Sequence, residues 1–318
     1  MRWPSFVLGR VDGWVFAPED PRRLAAVRIG LCSLLAVRLA TADYGVVARL
    51  PAAFFHPVFY MKLFERMPSP EVATALQICG IVGALLAAAG LALSLSLPLA
   101  VVCSLVLNGM LNSAGRVIVG DAVLTLCLLV LLAGGPAAGE AWSLTGPARR
   151  ALRRLPRATE RRPRIAPSPS FRGGRYGWPI RTAMIAIALA YFFAGFQKWR
   201  YSGLPWVTSD NLRLILYDQS HPNGLALFIA DRPLLAHVVA AGSLLLETCF
   251  PLVLFVPRLR WLLIPGVAAM HVAIRIALRL DYSAQWLTAV IVFVNWPVVV
   301  AWVRRATARV PAPGEAPG

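Results

Sequence analysis

Lys198 closes the apolar run YFFAGFQKWRYSGLPWV, 191–207, where the chain then breaks at Pro205 beside Trp206. A lysine amine held in a water-poor site can act as a proton acceptor. Further along, His271, Arg275 and Arg279 recur every four residues inside another apolar run, so they share one face of a helix. Glu247 lies in the apolar run before that one, and Arg38 lies in the first apolar run of the chain. At about 1.5 Å per residue, Glu247 and His271 fall at comparable depths on antiparallel neighbours. These residues describe an outward-opening basic cavity with Glu247 at its floor. In it Lys198 would be the base, and His271 and Arg275 would stabilise a developing anion. Glu247 would orient them, Arg38 would contact the substrate, and Trp206 would close the mouth. A blander set of roles fits the same residues: His271 locking two helices, Glu247 and Arg275 as a structural ion pair, Lys198 reaching for the headgroups.

The elements that would position these groups are membrane spans. The chain has 318 residues, of which 58% are hydrophobic and only 15% charged, a composition far from that of a soluble globular domain. Windows of about 17 to 25 apolar residues fall at 24–42, 72–94, 97–113, 118–134, 180–197, 234–256, 259–279 and 284–303. The expected fold is therefore an all-α polytopic transmembrane bundle of about eight spans, forming one domain over 1–318. Residues 1–20 lack an unbroken apolar core, because Arg10 and Asp12 interrupt it, and they read as an interfacial segment. The stretch 199–232 reads as an outer loop in which Ser209, Asp210 and Asn211 begin a short helix.

The net charge of +17 comes almost wholly from arginine. From Arg149 to Arg181 there are eleven arginines and a single acid, Glu160. Retained arginines mark the cytoplasmic side, so the loop 147–179 belongs inside, and eight alternating spans then place both termini inside. Arg22, Arg23, Arg258, Arg260, Arg304 and Arg305 all fall on that side, while Lys198 emerges on the other. The location this implies is the bacterial inner membrane. Most of the arginines fall between the apolar runs and show no interleaving with exposed aromatics, which points to anionic lipids as partners of the arginine-rich loop and away from nucleic acid. The five cysteines lie in apolar runs without metal-ligand spacing, so they read as packing thiols and no metal site is expected.

Four segments in order, DPRRLAAVRIGLCSLL (20–35), GEAWSLTG (139–146), FAGFQKWRYSGLPW (193–206) and LLLETCFPLVLFVPRLR with AMHVAIRIAL (244–278), resemble the horizontally transferred transmembrane (HTTM) family. That family is related to the membrane domain of vitamin K-dependent gamma-carboxylase. The resemblance implies a reduced quinone as cofactor, with Lys198 as the base that deprotonates it and so starts a carboxylase-like, quinol-linked oxidation. It equally implies a different class of function, a non-catalytic factor for the maturation or export of a secreted peptide. The interrupted stretch after 198 leaves a third, a lipid or anion transporter.

Overall fold

The computed structural model describes residues 12–114, 121–145, 169–219 and 221–307, of which 169–173 are described by backbone only. Most of the N-terminal segment 1–20 and the part 147–168 of the arginine-rich loop lie outside the described residues. Every long element is an α-helix. Helix α1 (Pro21–Thr41) starts where the Asp20 carboxylate accepts from the Arg22 amide and Pro21 fixes the first turn. Its side chains Leu24, Leu31, Leu35 and Leu39 are buried in the centre of the bundle. A short helix α2 (Tyr44–Ala48) follows. Helices α3 (Pro70–Ala88) and α4 (Leu93–Asn112) form a close antiparallel pair. At their crossing a Cβ on Gly83 would stand 3.0 Å from the Ser96 carbonyl, so the backbones meet with only hydrogen between them.

After α5 (Ala122–Ala133) comes α6 (Pro169–Ser202), whose 34 residues run about 50 Å. Three short helices then cap one end of the bundle: α7 (Pro205–Thr208), α8 (Asn211–Tyr217) and α9 (Gly224–Ala230). The chain returns through α10 (Pro233–Cys249), the single turn α11 (Leu252–Phe255) and α12 (Arg260–Leu278). It finishes with α13 (Ser283–Phe293) and α14 (Trp296–Thr307).

Among the described residues, five helices are long and apolar enough to cross a membrane, or up to seven if each of two bent pairs counts as one span. The bent pairs are α9 with α10, at 102°, and α13 with α14, at 74°. The expected fourth span, 118–134, is only the 12-residue α5. Gly134 stops that helix and Gly135 turns the chain at φ +62°, a conformation closed to most side chains. The expected sixth span is interrupted after Cys249, because Pro251 has no amide to continue the ladder; Phe250 and Pro251 keep helical angles, and the single turn α11 follows. The expected eighth is broken before Pro297 for the same reason.

The bundle is apolar outside as well as inside. Trp261, Leu262 and Leu245 are 87%, 65% and 60% exposed on the outer faces of α10 and α12, an arrangement suited to lipid and not to water. At one end, the Glu19 carboxylate receives Arg23 at 2.8 Å and Arg181 at 3.4 Å, so α1 and the early part of α6 lie together there. Arg28, wholly buried, donates to the carbonyls of Ala138, Ala88 and Trp142 at 2.6, 3.1 and 2.7 Å. Ser143 and Thr145 both donate to the Gly90 carbonyl, so the segment 139–145 serves to tie α1 to the α3–α4 turn. Cys32, Cys103 and Cys127 are buried, whereas Cys79 is exposed.

Candidate functional site

Between α6, α10, α12 and the cap lies a cavity of about 830 Å³. Its walls are mainly aliphatic and aromatic, and four of the six residues expected from sequence face it: Lys198, Trp206, Glu247 and His271. The face of α6 opens because Ala190, Ala194 and Lys198 recur every four residues, leaving room beneath the amine. Lys198 then sits in the last turn. Gly203, at φ +61°, ends the helix with its amide bonded to the Lys198 and Trp199 carbonyls at 3.2 and 3.0 Å. That turn sends Pro205 and Trp206 back over the lysine, whose Nζ stands 5.2 Å from the centre of a Trp206 ring.

Lys198 Nζ donates to Glu247 Oε2 at 2.6 Å. The contact depends on how closely α6 and α10 approach. A Cβ at Gly195 would meet Thr248 Oγ1 at 2.6 Å, the Thr248 amide nitrogen at 2.9 Å and Glu247 Cβ at 3.1 Å. Only glycine lets the two helices close to this distance. Glu247 is 7% exposed, so its charge is shielded from solvent and answered by Lys198 alone among its described hydrogen-bond partners.

His271 comes from the middle of α12 and is 6% exposed. Its ring lies between Tyr191 and Tyr282, with centroids 5.7 and 5.4 Å away. Neither of its nitrogens has a hydrogen-bond partner among the described residues, nor do Tyr191 OH and Trp206 Nε1. Four buried polar atoms in one neighbourhood without partners are unusual, since such groups are nearly always satisfied by protein, water or ligand.

The two arginines are placed elsewhere. Arg38 is bonded to Asp121 at 2.9 Å and to Asp281 at 2.6 Å, and Arg275 reaches Asp281 at 3.3 Å with its side chain 63% exposed. Neither lines the cavity. The site is consequently an apolar chamber with a paired lysine, and the arginine-lined basic cavity expected from sequence is not what the fold builds: Asp121 and Asp281 hold Arg38 in a network that joins α1, the start of α5 and the α12–α13 loop. Arg279 caps α12 in the left-handed region at φ +55° and is exposed. The helix expected after Ser209 begins at Asn211 as α8, and it turns Leu212, Ile215 and Leu216 to the cavity. Sequence reasoning missed Tyr191 and Tyr282. For Tyr191 the signal was its position seven residues, two helical turns, before Lys198 on the same face.

Comparison of the chain with protein-family models, with curated proteins and with solved structures gave no match.

Proposed function

We propose that the chain is an integral membrane enzyme of HTTM type that performs acid–base chemistry on a reduced quinone or a similar bilayer-borne phenol, with Lys198 as proton acceptor. The observation that carries this reading is the meeting of an amine, a carboxylate and an imidazole, from three helices, on one mainly apolar chamber. Ionisable groups inside a span cost about 2.5 to 3.5 kcal/mol each on insertion scales. A large apolar pocket with a few convergent polar groups is the usual form of a small-molecule site.

A reduced quinone suits this donor set in kind: the ring matches the walls, and its hydroxyls match the amine and the unpartnered imidazole nitrogens. Bound there, it would supply the hydroxyl hydrogen and two electrons, which a carboxylase-like oxidation would pass to dioxygen as the oxidant. Lys198 donates to Glu247 across 2.6 Å, a contact along which a proton can pass from one to the other. With that proton on Glu247, the Nζ lone pair can accept another from a hydroxyl set against it. With the proton on Lys198, the ammonium stabilises negative charge formed beside it. A neutral His271 offers one N–H and one lone pair, enough to orient a hydroxyl or carbonyl group. Trp206 shields the amine from water.

The test is consumption of an added reduced naphthoquinone by the purified protein in nanodiscs, with dissolved dioxygen as the oxidant, followed by absorbance. Lys198→Ala should abolish it while thermal unfolding remains cooperative; a variant that consumes quinol at the natural rate would overturn the assignment.

One observation favours a second reading. The amine is already engaged by Glu247 and covered by Trp206, which is also what an ion pair locking α6 to α10 requires. On that reading the chain is a non-catalytic factor that holds a secreted peptide at the capped end during maturation or export. Such a factor would tolerate Lys198→Ala in a peptide-export assay and fail when 199–232 is altered.

A further inference from the structure

The chamber has an opening whose edges can be traced residue by residue. At its lower edge α10 and α12 touch: a Cβ on Gly266 would stand 2.7 Å from the Leu246 side chain. At its upper edge α9 is tied down to α12, with the Asn223 amide donating to the Ile276 and Ala277 carbonyls. Ten residues of α12 separate these edges, which is about 15 Å. Between them the helices do not close. A Cβ on Gly242 would meet no atom within 4 Å, and on the facing helix Ala269 and Ala273 are exposed although both line the chamber.

This gap lies in the apolar body of the bundle, between a helix that can cross the membrane by itself and one that can do so with its bent partner. Its frame is Val239, Gly242 and Ser243 on one side and Ala269 and Ala273 on the other. The single hydroxyl among them, on Ser243, is turned to the Ala240 carbonyl at 2.8 Å, so the frame offers no free polar group. A polar solute crossing here would lose its hydration with nothing in return. A hydrocarbon chain would lose nothing, because lipid and frame are equally apolar. The polar groups, by contrast, wait inside at Lys198, Glu247 and His271.

We propose that the gap between α10 and α12 is a lateral window through which the ligand passes from the bilayer into the chamber, and that this ligand is an amphiphile with a polar ring and a long aliphatic tail, the tail remaining in the window. The inference rests on the reading of the chamber as a quinol-type site and adds the tail and the route to it.

The experiment compares two probes on the full chain in nanodiscs: a naphthoquinol bearing a long prenyl chain, and the same ring without the chain. Association is followed by quenching of tryptophan fluorescence. The quantity read is the ratio of the two association rates, which simple filling of the chamber leaves unaltered. Gly242→Phe and, separately, Ala273→Phe should lower the ratio at least tenfold. Gly242→Phe is expected to fold, since the space beside it is open. An unchanged ratio in both variants, with both probes bound, would refute the window and leave the chamber intact. Failure of the natural protein to bind either probe would overturn the quinol reading and the window together.

Discussion

At the scale of single residues, Asp281 does more than its place in a four-residue loop announces. Its carboxylate accepts from Arg38, Arg275 and the Ser283 amide, so one side chain ties the α12–α13 loop to α1. Burial works against its charge, but the amide and hydroxyl of Ser283 and the guanidinium of Arg38 outweigh burial and hold its pKa below the ordinary carboxylate value. A carboxylate with a depressed folded value contributes stability above its unfolded value of about 3.9 and loses it as pH falls through the folded one. The thermal midpoint of the purified protein should therefore drop as pH falls below about 4, and Asp281→Asn should flatten that part of the profile; a slope identical in the variant would place the acid sensitivity elsewhere. The same residue marks what sequence could convey. Lys198, Glu247, His271 and Trp206 were legible because ionisable and indole groups are rare within apolar runs and each needs a partner or a chamber. The employment of Arg38 and Arg275 was not, because their acids come from segments whose positions only the tertiary fold decides.

At the scale of elements, the pair of helices α6 and α10 is held at a separation that one atom would change. Adding a methyl group at Gly195 places it 2.9 Å from a backbone nitrogen, which no side-chain rotation relieves. Gly195→Ala should force α6 and α10 apart, lengthen the Lys198–Glu247 contact and destabilise the bundle by about 1 to 3 kcal/mol, the usual cost of overpacking. Unfolding by a graded denaturing detergent measures the stability, and retention of natural stability and ligand binding would show that the close crossing is not required. Most element positions were readable from hydropathy, and their ends from Asp20–Pro21, Ser69–Pro70 and Gly203. Where the windows ran past a break, the stops were local and also written in the chain: Pro251 and Pro297. A hydropathy window averages over a single breaker, whereas the backbone cannot.

At the scale of the whole molecule, the charges sort along the bundle axis. Glu19, Arg23 and Arg181 meet at the end where α6 begins, and Arg260 lies over the Phe293 ring near the end of α13. Lys198 is 29 residues beyond Pro169 on one helix, about 44 Å along its axis, so the chamber and its cap occupy the opposite end. Arginine retained on the cytoplasmic side would then place the chamber towards the outside. Its position would matter chemically, because a proton released there leaves the cell, while the quinol would arrive sideways from the lipid. The arrangement is open to direct measurement. In a background with the five native cysteines replaced, Ser202→Cys should react with a membrane-impermeant maleimide added to intact cells, and Arg258→Cys only after permeabilisation. The reverse pattern would put Lys198 in the cytosol; the apolar chamber, its paired lysine and its window would stand, but any proton released from it would enter the cell, and the outward-facing chemistry would have to be abandoned.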